Sequence, residues 1–492
     1  MRQEWLVAPS VSWYGKNTQI TLWYEFRDYR YPFDRGTSLN PVTMRPLAIP
    51  ATQRIDESFN NMIGESHLGQ LSLDHNLGSG WAAHVNFSYN QETYDANQLR
   101  TSGINATTGT TLRSDDATHG ALSTDTYGMF YIDGPIKTGL VRQDIQFGMD
   151  GEYRLIYRKD LLRQATKNTF SYLNPVYGRE QPSSTVSAAD SDQTDDLHDY
   201  SGFLRDTIHI GRKVVVVGGV RYLTWRQIAG KGRPFVANTN ISGATPLPLA
   251  GVVYRFSPNW SVYASYSQSL RPASTIAALS TGVVLNSSFP PERGRSYEVG
   301  LKMQIPGRLT GSLAFYNINK KNVIVSQYND ATKLTDWRTS GAARSRGVEL
   351  DLAGQVTKHL SIIGSYASTD GLTTKDPDYA GKQLWNAARN TASLGFAYDV
   401  GSIFHEDKFR IGGNAHYVGR RPGDSANSFW LPYYVTGDIF MTYNKKILHH
   451  DMTFQFNIKN ISNTVYYPSA VNMYNLAMGD ARRFSLRTTV EF

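Results

Sequence analysis

Apolar and polar residues alternate along most of this chain, with the period of two that an extended strand imposes. In QITLWYEF (19–26), Ile20, Leu22, Tyr24 and Phe26 share one face, opposite Gln19, Thr21, Trp23 and Glu25. WAAHVNFSYN (81–90) sets Ala83, Val85, Phe87 and Tyr89 against His84, Asn86, Ser88 and Asn90. GVELDLAGQV (347–356) and MTFQFNIKN (452–460) repeat the pattern, and no stretch sustains a period of 3.6. The last residues, RRFSLRTTVEF, put Phe484, Leu486, Thr488, Val490 and Phe492 on one side of a final strand. An all-β chain follows.

Such an apolar face must pack on a second sheet or face lipid. Lipid accounts for more. The runs extend over roughly ten to fifteen residues, whereas ordinary strands average about five or six. The opposite face stays polar, and aromatic residues such as Trp5, Trp13, Tyr24 and Phe26 cluster near the ends of apolar faces. A membrane strand has this form: apolar outward, polar inward, with aromatic girdles.

The connections alternate in length. Short ones are expected at 14–16, 77–80, 134–138, 257–259, 306–308, 354–358 and 444–446. Long ones are expected at 32–62, 96–118, 159–197, 271–291, 371–385, 421–429 and 467–479, rich in Asn, Thr, Ser, Asp, Gly and Pro. Short periplasmic turns and long extracellular loops give this rhythm, so the chain reads as a transmembrane antiparallel β-barrel of about 19 strands. The first strand, near 2–13, and the last, near 480–492, both run inward. An even, closed barrel would not begin outside, so an odd number of upstream strands is expected to be absent.

Composition adds less. With 492 residues, 50 Lys and Arg, 42 Asp and Glu and a net charge of +8, the chain is lightly basic. That charge is enough for a phosphate-rich partner such as nucleic acid or lipopolysaccharide, but a lightly basic solvated surface is the commoner case. A mean hydropathy of −0.40 beside 30 Tyr and 9 Trp is unusual for a soluble chain. The absence of Cys excludes thiol and disulfide chemistry. The most apolar run, VVVVGGV (214–220), is far short of the roughly 18–20 residues of a spanning helix. The start lacks the apolar core of a secretory signal.

Several segments carry a family likeness. PERGRSYEVGLKMQIPGRLTGSLAFYNINKKNVIVS (291–326) contains a Glu298, Gly300, Leu301, Lys302 core, a turn and a second strand. SRGVELDLAGQVTKHLSIIGSYASTD (345–370), LPYYVTGDIFMTY (431–443), FQFNIKNISNTVYY (454–467) and MGDARRFSLRTTVEF (478–492) follow in order. This series resembles the siderophore branch of the TonB-dependent outer-membrane receptors, most clearly over 250–492. The likeness implies a barrel domain over 1–492 in the outer membrane. About 19 of the family's 22 strands are then present, and the plug domain, its TonB-contacting box and the first strands are absent. It implies a monomeric receptor that binds a ferric siderophore outside for TonB-driven import, and no enzyme. It also implies that iron is held by the chelator, so no cofactor is expected, and that Phe492 forms part of the barrel-assembly signal. A passive, porin-like channel is the alternative, since a plugless barrel leaves a wide lumen.

A bulky, partly apolar ligand favours aromatic walls with a few placed polar groups. Parity places Tyr29, Tyr31, Tyr94 and Trp337 inward near the outer ends of strands, and Tyr172, Trp385 and Tyr474 are loop candidates. Arg482 and Arg483 suit a solvated rim or a lipopolysaccharide site. Asp190, Asp192, Asp195 and Asp196 form an acidic loop without the glycine and distal Glu of a Ca²⁺ loop. His449 and His450 would point to opposite faces of a strand, which argues against a shared metal. No catalytic motif is present.

Overall fold

The computed structural model describes residues 2–164, 167–276, 285–286, 289–329, 334–404 and 407–491. Among the described residues one sheet of 22 hydrogen-bonded segments dominates, antiparallel apart from a short parallel pairing of Leu285 and Asn286 with Thr239 and Asn240. Two segments are halves of one interrupted strand and two are short pieces on outer loops, which leaves 19 long strands, as the alternation suggests. They are β1 (Gln3–Val7 and Ser10–Tyr14, broken at Ala8 and Pro9), β2 (Thr18–Pro32), β3 (Asn61–Gly78), β4 (Trp81–Asn105), β5 (Thr110–Thr138), β6 (Val141–Arg163), β7 (Gln193–Ile210), β8 (Val214–Lys231), β9 (Val236–Ser257), β10 (Trp260–Arg271), β11 (Glu292–Ile305), β12 (Leu309–Asn329), β13 (Leu334–Gln355), β14 (Leu360–Lys375), β15 (Asn390–Gly401), β16 (Lys408–Val418), β17 (Tyr434–Ile447), β18 (His450–Lys459) and β19 (Arg483–Glu491).

Each strand pairs with its chain neighbours, and the register sorts residues into two faces. Across β10 to β14, Val262, Leu301, Leu313, Leu350 and Tyr366 lie in one lateral row. The adjacent row reads Ser261, Lys302, Ser312, Asp351 and Ser365. The first row continues into exposed Val299, Phe315, Leu394 and Phe396, an apolar belt on the outer surface. The second lines the lumen. Lipid-exposed backbone must be fully paired, and antiparallel neighbours achieve this.

The sheet curls far enough for loops from its two ends to meet. The N–H groups of Thr37 and Leu476 donate to each other's carbonyls at 2.9 and 2.7 Å. Leu39, Phe429, Leu431, Ala470 and Leu476 form a small apolar core beneath that bridge. Among the described residues β1 and β19 are not hydrogen-bonded to each other.

Three expectations change. The presumed turn at 444–446 is strand, since Lys446 pairs with Asp451 and Ile447 with His450. The chain reverses at Leu448 and His449, both at positive φ (51° and 70°), the two-residue turn that matches strand twist. His449 therefore lies in a turn, not in a strand. The turn placed at 134–138 sits instead at Gly139 and Leu140, because pairing runs to Thr138 and Val141. Much of the loop expected at 96–118 is ladder, with Leu99 opposite Asp115 and Thr101 opposite Arg113. Polar residues there suit strands standing in water on both faces, so composition alone reads as loop. Phe492, the proposed assembly signal, lies outside the described residues.

Leu350→Arg places a charge on the lipid face and should cost roughly 2–4 kcal/mol. Ser312→Arg, on the lumen face, should cost far less. Urea titration of both variants folded into lipid vesicles reads the difference.

Candidate functional site

The outer ends of the strands and their loops build a vestibule. On β2, Arg27, Tyr29 and Tyr31 share the inward face by their spacing of two. Tyr29 and Tyr31 stack with ring centroids 4.7 Å apart and 13° between planes. The Arg27 guanidinium lies 5.2 Å from the Tyr29 ring and that of Arg2 4.7 Å from the Tyr31 ring. The result is a cation–ring–ring–cation ladder, each step favourable electrostatically. Tyr29 is 1% exposed, and its hydroxyl donates to Glu92 Oε1 on β4 at 2.6 Å. Between them Gly64 of β3 pairs with both Tyr29 and Tyr94. A Cβ there would stand 2.8 Å from both the Tyr29 hydroxyl and the Tyr94 Cβ. Only a glycine leaves that passage open.

Tyr29, Tyr31 and Tyr94, chosen by parity, thus gather on one part of the wall. The loop that follows Tyr31 carries Ser38, whose hydroxyl donates to the Tyr474 carbonyl at 2.7 Å. Trp385 is 42% exposed beside the same rim; its neighbour Asn386 exchanges hydrogen bonds with the Ala470 backbone at 2.9 and 3.1 Å. Tyr172 is different. It is 5% exposed and packs with Leu47, Ile55 and Phe170 inside a loop core, where it presents no ring to the lumen. Trp337 pairs with Ser326 through its backbone, and its side chain lies outside the described residues. Parity did not single out Arg2, Arg27, Glu92 or Gly64. The spacing of Arg27 to Tyr29 was a readable signal; the cross-strand partners were not.

The vestibule is stiffened by buried charge. Arg113 and Glu57 pair at 2.9 Å with side chains 2% and 1% exposed. Arg113 also donates to the Ile55 carbonyl and lies 3.8 Å from the Phe170 ring. Glu57 accepts from the Gly178 N–H at 2.8 Å. One ion pair therefore ties the β5 hairpin to two loops. A cleft of about 650 Å³, lined by Arg30, Arg54, Asp56, Asn60 and Tyr177 among others, lies beside it. Arg30 has the opposite parity to Tyr29 and Tyr31, so this cleft is separate from the ladder.

The acidic loop is not simply solvated. Asp190 pairs with Lys231 at 2.6 Å, and Arg233 bonds Asp192 and Asp160 at 2.7 and 2.6 Å. Tyr157 donates to Asp192 at 2.8 Å. Asp195 accepts from Gln227 and Ser274 at 2.6 and 2.9 Å. Side chains of the chain itself hold these carboxylates. Arg482 packs on the neighbouring loop, its N–H bonded to Asn463 at 2.9 Å.

Two outcomes follow from these charges. Arg113→Ala strands Glu57 in a dry site and should cost roughly 3–5 kcal/mol. The Arg113→Ala/Glu57→Ala pair should recover part of that in a double-mutant cycle. The hydrogen bond from Lys231 holds Asp190 below the usual carboxylate range, and that from Arg233 does the same for Asp192. Folded values lie below unfolded ones, so the stabilisation is complete above about pH 4 and is lost as pH falls below it. Protection factors for hydrogen exchange at the β8–β9 tip, taken against the intrinsic amide rate at each pH, should fall as pH drops from about 4 towards 3, less so in Arg233→Gln.

The sequence matches the family described as "TonB dependent receptor-like, beta-barrel" over residues 5–461. It is 28% identical to the metal-pseudopaline receptor CntO of Pseudomonas aeruginosa, an alignment covering 100% of this chain and 68% of that protein. It is 25% identical to the ferrioxamine B receptor of Salmonella typhimurium, over 82% of this chain and 55% of that one. The fold superposes on the ferric preacinetobactin receptor BauA of Acinetobacter baumannii with a TM-score of 0.86 at 19% identity, covering 100% of this chain and 72% of the other. The siderophore receptor PiuA of the same organism gives 0.85 at 20% identity, with 99% and 74% covered. A barrel with an apolar belt, polar lumen and deep outer loops, matched over nearly its whole length, places this chain in the TonB-dependent receptor β-barrel family of the bacterial outer membrane.

Proposed function

We propose that this chain is the wall and outer vestibule of a receptor that binds a ferric siderophore at the extracellular side for TonB-driven import. The observation that carries the reading is the inward ladder of Arg27, Tyr29, Tyr31 and Arg2 at the outer end of the wall. A bulky, partly apolar iron–chelate suits a wall of aromatic rings with a few placed polar and guanidinium groups. The names of the metal-pseudopaline and ferrioxamine B receptors support the same ligand class.

Burial divides the roles. Tyr29 lies beneath, fixed by Glu92, and sets the height of Tyr31. Tyr31 and Tyr94 are only half-buried and offer the contact surface, with Arg27 and Arg2 supplying charge. Trp385 and Tyr474 stand on the rim above as second contacts. The iron remains with its chelator, so the wall needs no ligating side chain. Energy coupling belongs to a plug domain and TonB, outside these strands.

Tyr31→Ala and Tyr94→Ala should each weaken binding of the preferred ferric chelate by roughly tenfold, about 1.4 kcal/mol. Tyr29→Phe should weaken it less. Fluorescence-quenching titrations of the purified chain with a panel of ferric siderophores, each beside its iron-free chelator, measure this. If no chelate binds more tightly than its iron-free form, the reading fails.

A further inference from the structure

The lumen face of β15–β19 carries a cavity built by other strands than those of the Tyr29–Tyr31 stack. It encloses about 440 Å³, and Arg410, Asn414, Asp438, Phe440, Asn457 and Lys459 are among its lining residues. Register explains why these side chains converge. Gly412, Phe440, Asn457 and Ser485 form one lateral row. Arg410, Thr442, Gln455 and Arg487 form the row two residues nearer the periplasmic end. The intervening row, Ile411, Met441, Phe456 and Leu486, belongs to the lipid belt. Lys459 is the last residue of β18 and lies opposite Arg483, below the loop that carries Tyr474. The cavity therefore runs down the wall from the rim towards the periplasmic turns.

Its floor is apolar and its rim is cationic. Ile363, on the same face, is 64% exposed to the lumen, and a Cβ on Gly395 would stand 3.0 Å from its Cγ2. A Cβ on Gly412 would stand 2.5 Å from two ring atoms of Phe440. The glycines let both apolar side chains lie on a wall that is otherwise mostly polar. Above this floor Arg410, Lys459, Arg483 and Arg487 stand against Asp399 and Asp438, so four cations and two carboxylates leave +2. The Arg410–Asp399 contact, at 3.5 Å, is the only ion pair of this group among the described residues. The Asp438 carboxylate accepts instead from the Asn460 N–H at 2.8 Å. Lys459 and Arg483 are exposed and directly opposite each other, an arrangement that like charges disfavour. An anion placed there turns that repulsion into two charge-assisted contacts.

We infer that this strip is a second binding site, below the outer rim, for iron–chelates that carry free carboxylates and a net negative charge. The strip extends the ferric-siderophore reading above, on which its role rests, by selecting chelates for charge. Carboxylates meet Lys459 and Arg483 first. Arg410 waits deeper, four residues or about 13 Å down β16 from Asn414. Guanidinium groups match carboxylates in geometry as well as charge. Phe440 and Ile363 receive the apolar body of the ligand. A neutral chelate gains nothing from the cations.

Equilibrium dialysis of the purified, detergent-solubilised chain tests this with two radio-iron probes, anionic ferric citrate and a neutral ferric trihydroxamate. Arg410→Gln/Lys459→Gln/Arg483→Gln should weaken ferric citrate binding roughly tenfold and leave the trihydroxamate unchanged. Single Lys459→Gln, expected to lose roughly threefold, serves if the triple variant does not fold. Arg226→Gln, which removes an exposed cation from the outer face of β8, should bind both probes as the parent does. In a Tyr31→Ala background the triple substitution should cost ferric citrate the same factor, because separate sites add. A cost that disappears there puts the anion in the vestibule and overturns the assignment. So does ferric citrate binding that is absent from the parent, or unchanged by the triple and single variants. Tyr31→Ala without effect on either probe counts against the vestibule reading alone, and the cation variants still decide the strip.

Discussion

Everything in this molecule depends on the need to satisfy backbone hydrogen bonds where no water is present. A strand crossing hydrocarbon can meet that need only through its neighbours, so all 19 long strands pair laterally with those adjacent in sequence. Pairing fixes register, and register fixes which side chains meet lipid. The lateral row from Val262 to Tyr366 and the row from Ser261 to Ser365 are one residue apart along each strand, yet one is apolar and the other polar. A slip of a single residue would exchange them, so the register of each strand is strongly specified.

Outside the membrane the constraint relaxes and charge takes over. Hairpins such as β4–β5 continue well past the lipid, and their loops are locked by polar contacts rather than by apolar mass. Arg113 and Glu57 are almost fully buried, which is tolerable because Ile55, Gly178 and the Phe170 ring complete the pair's environment. The same economy holds Asp190 and Asp192 on Lys231 and Arg233. The vestibule is thereby a rigid frame around the Tyr29–Tyr31 stack. The mutual hydrogen bonds of Thr37 and Leu476 join that frame across the two ends of the sheet.

The candidate site was partly legible from parity. Tyr29, Tyr31 and Tyr94 lie where alternation places them, because β2 and β4 keep their register up to those residues. Tyr94 is near the limit, for pairing shifts just after it, between Tyr94 and Ala96. Tyr172 shows what parity cannot see. It follows a short loop strand with no lumen face, and packing with Leu47 and Ile55 decided its place. Polar outer hairpins such as 96–118 read as loop for a related reason: water on both faces removes the alternation that marks a strand.

By itself the sequence determined the all-β class, the inside-out polarity, the strand number and the alternation of turns and loops, since each is a local or period-two property. The tertiary structure alone decided the cross-strand partners. Glu92 beneath Tyr29 and Gly64 between Tyr29 and Tyr94 are brought together by register between strands, and Glu57 reaches Arg113 from a loop folded over the β5 hairpin. Register is a relation between distant segments, and no single segment carries it.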